Sequence, residues 1–193
     1  SARQSNNNIS MDAEPMTQQH QGLSQAGKNI LNLLLVQAVW FACVMGGTLW
    51  GWAAALVFFG LYQRMVGNLQ KDWLCIMVIA TTGFGVDCTI SSLELMIFPE
   101  NNLLPFLPLP GWMAALWLTF ATLFLYGLQW LRHRPLLAAA AGAFLGPASY
   151  YAGAQLHGVK LGMILQSFWL CYGLLWAIMM PLFGGIARSL ARE

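Results

Sequence analysis

The sequence predicts an all-α, polytopic integral membrane protein with six transmembrane helices in one bundle. Of its 193 residues, 58% are hydrophobic and only 8% are charged, whereas soluble domains carry roughly a quarter charged residues. Six apolar stretches are long enough to cross a bilayer, and the basic residues cluster at alternate connections between them. This composition excludes a soluble globular domain, and it provides no basic surface for nucleic acid.

A polar segment over residues 1–28 precedes the first apolar stretch. It is rich in Asn, Gln and Ser, and such a composition cannot bury a core. We expect a flexible tail that includes the native start at Met16 or Met11, and a first span that is retained as an anchor. A membrane domain over 29–188 and a short C-terminal end over 189–193 follow.

Six stretches meet the requirement of about 20 mainly apolar residues for a spanning helix. The third and sixth are long, so tilt or a local break is expected there. The predicted spans are 30–47, 50–66, 73–98, 112–131, 135–156 and 161–187.

The loop charges predict the orientation of these spans. Basic residues concentrate on the cytoplasmic side of short loops, and only Lys160 departs from the alternation. Both termini are therefore predicted to be cytoplasmic. The eight residues predicted on that side are Arg3, Lys28, Arg64, Lys71, Arg132, Arg134, Arg188 and Arg192.

Two acidic residues fall inside the third predicted span. Positions i, i+4 and i+7 share a helix face, so Asp87, Ser91 and Glu94 are expected to form one stripe. An intramembrane acid costs at least about 2.5 kcal/mol at the bilayer centre, which makes it a functional-site hypothesis. Asp87 and Glu94 are the candidate acid/base pair, and the alternative is an Asp87 that only joins two helices. The other five acids lie where water can solvate them.

Other polar side chains are expected mostly in the outer half of the bundle, with Gln37 and Tyr172 nearer the depth of Asp87, around a ligand cavity open to the outer leaflet. The alternative explanation is a set of interhelical hydrogen bonds. The apolar, proline-rich loop over 98–111 is a candidate lid for the cavity, or else an inert interfacial loop. The candidate ligand-binding residues are Ser91, Gln37, Tyr150, Tyr151, Gln155, Gln166, Ser167 and Tyr172.

Small residues recur along the fifth span. Gly142, Gly146 and Gly153 let a neighbouring helix approach closely, and Pro147 removes a backbone donor and predicts a kink. A packing role is favoured over direct ligand binding for these positions.

The residue inventory argues against several activities. His20, His133 and His157 are too few for a membrane di-iron site, and neither a G-x-S-x-G nor a nucleotide-binding glycine motif is present. We therefore predict no metal and no cofactor. A buried carboxyl that acts as a general acid is the remaining chemistry.

Several groups of residues resemble a family of small proteobacterial inner-membrane proteins known as a domain of unknown function. They are 31–43, 87–99, 109–112 with Leu116-Trp117 and Phe120-Ala121, and 134–153. The resemblance implies a polytopic protein whose genes often lie beside cyclopropane-fatty-acid-synthase-like enzymes. A fainter similarity is to lycopene-cyclase-type membrane proteins, but Trp112 stands where those proteins place an acid.

The leading hypothesis is a protein that handles or modifies a lipid or isoprenoid, as an enzyme or as an accessory subunit of a lipid-modifying enzyme. The expected partners are membrane lipids and such an enzyme. Two alternatives stay open: a small proton-coupled transporter that uses Asp87, and a membrane scaffold that docks through the small-residue face of the fifth span.

Overall fold

The first helical segment reverses direction at Gly47. In the computed structural model, which describes residues 23–99, 107–156 and 158–191, helix α1 (Gln25–Leu61) continues into a π-helical turn, Tyr62–Val66. Gly47 has φ 69° and ψ −161°, a conformation that is essentially restricted to glycine.

The two halves of α1 pack against each other across this turn. A Cβ atom added to Gly51 would lie 3.5 Å from the Cα atom of Cys43 and 2.9 Å from its sulfur. In a straight helix, these two residues would be roughly 12 Å apart along the axis at about 1.5 Å per residue. The segment is therefore a helical hairpin.

The remaining elements follow in simple order. Asn68 caps α2 by accepting hydrogen bonds from the amides of Gln70 and Lys71, as N-cap residues commonly do. Pro135 occupies the first turn of α4, where its missing N–H leaves no bond unmade. The elements are α2 (Leu69–Ser92), β1 (Met96–Ile97), α3 (Gly111–Ala121), 3-10 turns at Thr122–Phe124 and Gln129–Leu131, α4 (Pro135–Gln155), β2 (Lys160–Leu161) and α5 (Leu165–Leu190).

Six separate spanning helices are not found among the described residues. Three helical segments are long and apolar enough to cross a membrane: Gln25–Val66, Leu69–Ser92 and Leu165–Leu190. The first contains two predicted spans, which are separated by the reversal at Gly47. The fourth predicted span forms only a short apolar helix, Gly111–Phe124. The fifth, Pro135–Gln155, forms a helix, but its many small residues, alanine and glycine, make it less hydrophobic than the three long helices.

Contacts between elements define two ends of the bundle. At one, which we call the Arg132 end, Arg188 reaches the Arg132 carbonyl and Tyr126 reaches Asp72. At the other, the strand end, β1 and β2 pair antiparallel with Met96 opposite Leu161. The indole of Trp52 also donates to the Gly111 carbonyl there, at 3.1 Å. Consecutive helical segments, counting the two halves of α1 separately, run alternately between these ends.

Helices α4 and α5 approach closely through glycine. A Cβ on Gly142 would lie 2.3 Å from the carbonyl oxygen of Trp176, and one on Gly146 would lie 2.2 Å from the Trp176 ring. Helix α4 is continuous through Pro147. A Cβ on Gly153 would make only an ordinary contact with Val159, at 3.5 Å.

Several sequence predictions lie outside the described residues. They concern the tail over 1–22, positions 100–106 of the proposed lid, His157, and the last two residues, 192–193.

Candidate functional site

The centre of the candidate site is the buried carboxyl of Asp87 on α2, which is 3% exposed. The indole N–H of Trp117 on α3 donates to its Oδ2 atom at 2.7 Å. The hydroxyl of Tyr150 on α4 lies 2.8 Å from Oδ1 and 3.0 Å from Oδ2. One carboxyl therefore joins three helices through two neutral donors.

A glycine on α2 makes room for the indole. Gly83 lies one turn before Asp87, and a Cβ there would fall 2.1 Å from the ring of Trp117. The indole also stacks on Trp176, with ring centroids 6.0 Å apart and planes at 6°. The indole is thus held by a hydrogen bond at its edge and by packing on its faces.

Tyr172 on α5 lies beside this cluster. Its ring centroid is 5.4 Å from that of Tyr150 and 4.5 Å from that of Phe168. The Tyr172 hydroxyl is buried and has no hydrogen-bond partner among the described residues. An unpaired buried hydroxyl is costly, so this position favours a water molecule or a polar ligand atom.

A large cavity lies between α1 and α4, with α3 and α5 behind it. Its volume is about 830 Å³, which is within the usual range of small-molecule sites. A smaller apolar cavity of about 70 Å³ has Trp117 and Tyr150 in its wall. Both cavities share Trp40, Phe120, Ser149 and Trp176. The two cavities are therefore adjacent, and the smaller one reaches the two side chains that hold Asp87.

The large cavity opens sideways. Helix α1 packs mainly on α3, and α4 packs mainly on α5, which leaves a cleft between α1 and α4. The rim of this cleft is apolar and exposed at Leu33 and Phe41 on α1 and at Leu145 on α4. An apolar rim on a membrane-spanning bundle favours entry from lipid rather than from water.

The predicted stripe of Asp87, Ser91 and Glu94 does not form. Helix α2 ends at Ser92, and Glu94 lies in the following turn with φ 57°, where its side chain is exposed. Ser91 instead donates to the Pro108 carbonyl at 2.8 Å. The helical periodicity that placed Glu94 beside Asp87 therefore stops before Glu94.

The other predicted ligand residues fall into three groups. Tyr150 and Tyr172 lie at the Asp87 cluster, while Gln37, Tyr151 and Gln155 line the large cavity. Gln166 is exposed and Ser167 is half-buried, and neither lines a cavity described above.

Sequence reasoning missed Trp117, Trp176 and Asn32. A tryptophan well inside a span, rather than at its interface, was the available signal for the first two. Asn32 is fully buried; its amide donates to Thr122 Oγ1 at 2.8 Å, and its Oδ1 atom accepts from the Gly127 amide at 3.1 Å. Asn32 was easier to detect in the sequence than the two tryptophans, because it is a polar residue within an apolar run.

A second polar cluster lies at the Arg132 end, around Asp72. The Asp72 Oδ2 atom accepts from the hydroxyls of Tyr62 at 2.7 Å and Tyr126 at 3.2 Å and from the Asn68 amide at 3.1 Å. Asp72 is half-buried and lies in the first turn of α2. Burial, reinforced by the Asp72 charge, raises the pKa of Tyr126 to about 12, so this phenol stays a donor at neutral pH.

The geometry limits the chemistry at Asp87. Trp117 and Tyr150 stand between its carboxyl and the cavity, so a ligand meets those side chains first. Within the described part of the chain, no group of three or more His, Cys, Asp or Glu residues is arranged to hold a metal ion. The arrangement is suited to an apolar ligand with a polar group near Tyr150.

Long apolar helices around a laterally open cavity are the features of a helical membrane protein. The chain belongs to the family described as "Protein of unknown function (DUF2878)", which matches residues 29–182. No curated protein and no solved structure matches it. The family match confirms the resemblance to a domain of unknown function, while the association with lipid-modifying genes and the likeness to lycopene cyclases stay predictions.

Proposed function

We propose that this protein binds a lipid or isoprenoid in the cleft between α1 and α4 and presents its polar group to Tyr150. The observation that carries the proposal is the apolar, sideways-open cavity of about 830 Å³, which adjoins the smaller cavity lined by Trp117 and Tyr150. Polar side chains along the cavity, Gln37 and Gln155 among them, offer hydrogen bonds without a net charge.

In this proposal Asp87 is a positioning residue. It accepts from Trp117 and Tyr150 and so fixes the wall that a ligand would touch. The protein either modifies the lipid itself or presents it, as an accessory subunit, to a lipid-modifying enzyme.

The proposal includes a six-crossing arrangement in a bacterial inner membrane. The turn at Gly47 divides α1 into two antiparallel halves, which with α2, α3, α4 and α5 make six segments. Basic residues gather at the Arg132 end, which the distribution of positive charge assigns to the cytoplasm. The strand end, where α4 ends at Gln155, then faces the outer leaflet, and the cleft extends from Leu33 near the Arg132 end to Leu156 near the strand end.

A proton-coupled transporter is the second candidate. A specific observation favours it: Asp87 is buried, and its two hydrogen-bond partners are neutral, as at protonatable sites in transporters. In proteoliposomes, substrate or proton flux that is lost in Asp87→Asn would favour this candidate over lipid binding.

The scaffold alternative loses its proposed surface. The small-residue face of α4 at Gly142 and Gly146 is covered by Trp176 of α5. It is therefore not available for docking another protein without separating the two helices.

The lipid proposal is tested by filling the cleft. Ala148 on α4 lines the large cavity, and Ala148→Phe would occupy part of it. We expect native mass spectrometry of the purified protein to show a copurifying hydrophobic ligand in the wild type and a loss of about tenfold or more in Ala148→Phe.

Ala140→Phe is the matched control, because Ala140 lies on the same helix but is exposed outside the cavity. It should retain the ligand at the wild-type level. Equal ligand recovery from all three proteins, each folded by circular dichroism, would overturn the proposal.

A further inference from the structure

A polar cavity at the Arg132 end is separate from the lateral cleft. Its volume is about 370 Å³, and Asp72, Tyr126, Gln129, Arg132, His133 and Arg188 are in its wall. It combines two guanidinium groups with one carboxylate at the end of the bundle where basic residues gather. Neither the lipid proposal nor the transporter alternative uses it.

The two arginines are held in place and keep free donors. Arg132 donates through Nε to the Phe124 carbonyl and through Nη2 to the Leu125 carbonyl, the latter at 2.6 Å. Arg188 donates through Nη1 to the Arg132 carbonyl at 3.4 Å. Because a guanidinium has five N–H donors, both side chains retain donors for an oxyanion, and arginine suits phosphate oxygens in particular.

The carboxylate of Asp72 is asymmetric in its contacts. The three donors that reach it, from Tyr62, Tyr126 and Asn68, all bond to Oδ2. The Oδ1 atom accepts none of the hydrogen bonds found within the described residues, which leaves it able to accept from a cationic donor. A purely anionic ligand would instead be repelled by this charge.

We infer that this cavity binds a zwitterionic phospholipid headgroup, with the phosphodiester on Arg132 and Arg188 and the primary ammonium on Asp72. The inference needs only the membrane location of the protein and does not depend on the lateral cleft. A headgroup of the phosphoethanolamine class has both charges at a separation that a cavity of this size accommodates.

The test uses the full chain in nanodiscs made from equal parts of phosphatidylethanolamine and phosphatidylglycerol. Lipid that remains bound after extraction and size-exclusion chromatography is measured by mass spectrometry. We expect phosphatidylethanolamine to be enriched severalfold over its bulk ratio. Arg188→Gln should lower total bound phospholipid about three- to tenfold, and Asp72→Asn should abolish the enrichment while phospholipid stays bound.

Arg64→Gln is the matched control, since Arg64 is exposed at the same end and outside the cavity. It should behave as the wild type. Enrichment of phosphatidylglycerol, or phosphatidylethanolamine enrichment that survives both Arg188→Gln and Asp72→Asn, would overturn the inference.

A competition experiment distinguishes a lipid headgroup from free phosphoethanolamine as the ligand. Soluble phosphoethanolamine, added at the concentration of the lipid, should leave the bound lipid in place, because the acyl chains add affinity. Displacement by the soluble compound would overturn the assignment to a lipid. Unchanged headgroup selectivity in Ala148→Phe would show that this site stands apart from the cleft.

Discussion

Asp87 holds the bundle together as a hydrogen-bond acceptor. A buried polar group is tolerated when its partners are satisfied, and here one carboxyl satisfies an indole and a phenol from two other helices. Removing the acceptor would leave both donors buried without partners, which costs more than the loss of the bond itself.

Asp87→Leu should therefore lower the free energy of unfolding by about 2–6 kcal/mol, roughly 1–3 kcal/mol for each orphaned donor. Asp87→Asn keeps an acceptor for Trp117 and should cost less than half of that. Unfolding by SDS in mixed micelles measures both. Glu94→Gln, at an exposed turn position, is expected to have no effect, and equal losses in Asp87→Asn and Asp87→Leu would show that the charge itself matters.

Helices α4 and α5 approach each other closely through glycine. Trp176 lies over Gly142 and Gly146, and it also lines both cavities and stacks on Trp117. The packing of these two helices thus sets the position of the wall behind the cleft.

Even one methyl group should disturb this pair. Gly142→Ala would place its Cβ 2.3 Å from a backbone oxygen, and we expect a loss of about 1–3 kcal/mol in unfolding free energy from overpacking. Gly85→Ala on α2 meets nothing within 4 Å. It should be neutral or stabilise by about 0.4–1 kcal/mol, and a Gly142→Ala protein as stable as Gly85→Ala would contradict the described packing.

At the scale of the whole molecule, the polar contacts divide between two ends. Asp72, Arg132 and Arg188 lie at one, and the short pair of strands with Lys160 lies at the other. The proposed six-crossing arrangement assigns these ends to opposite sides of the membrane.

Cysteine labelling tests this assignment. In a protein whose native cysteines are replaced, Lys160→Cys should react with a membrane-impermeant maleimide from the outside of spheroplasts. Arg134→Cys should react only after the membrane is opened. The proposed arrangement has one crossing, α4, between these two positions. Labelling of both from the same side would contradict it.

The sequence predicted the class of the protein and much of its segmentation, because hydropathy is a local property. The break between the first two spans, predicted around residues 46–50, falls at Gly47. The fourth span was predicted too long, because the apolar residues after Phe124 form turns and not a continued helix. The side chains of Asn32 and Arg132 hydrogen-bond to the backbone in this region. Hydropathy does not distinguish an apolar turn held by tertiary contacts from a helix.

The candidate site was predictable only in part, because pairing between helices leaves no local pattern. Asp87 was visible as an acid in an apolar run, and Tyr150 as a polar residue expected in the outer half of the bundle. Trp117, which donates to Asp87, read as an ordinary apolar residue. The predicted position of Glu94 was wrong because α2 ends at Ser92 and Glu94 itself has a positive φ.

The sideways opening between α1 and α4 has a consequence for measurement. A ligand that enters through an apolar rim comes from the bilayer, so its effective concentration is its mole fraction among the lipids and not its amount per volume of buffer. Occupancy would then rise with the ratio of ligand to host lipid. It would not depend on the aqueous volume of the assay. Titrations of this protein should accordingly vary the ratio of ligand to lipid at constant protein.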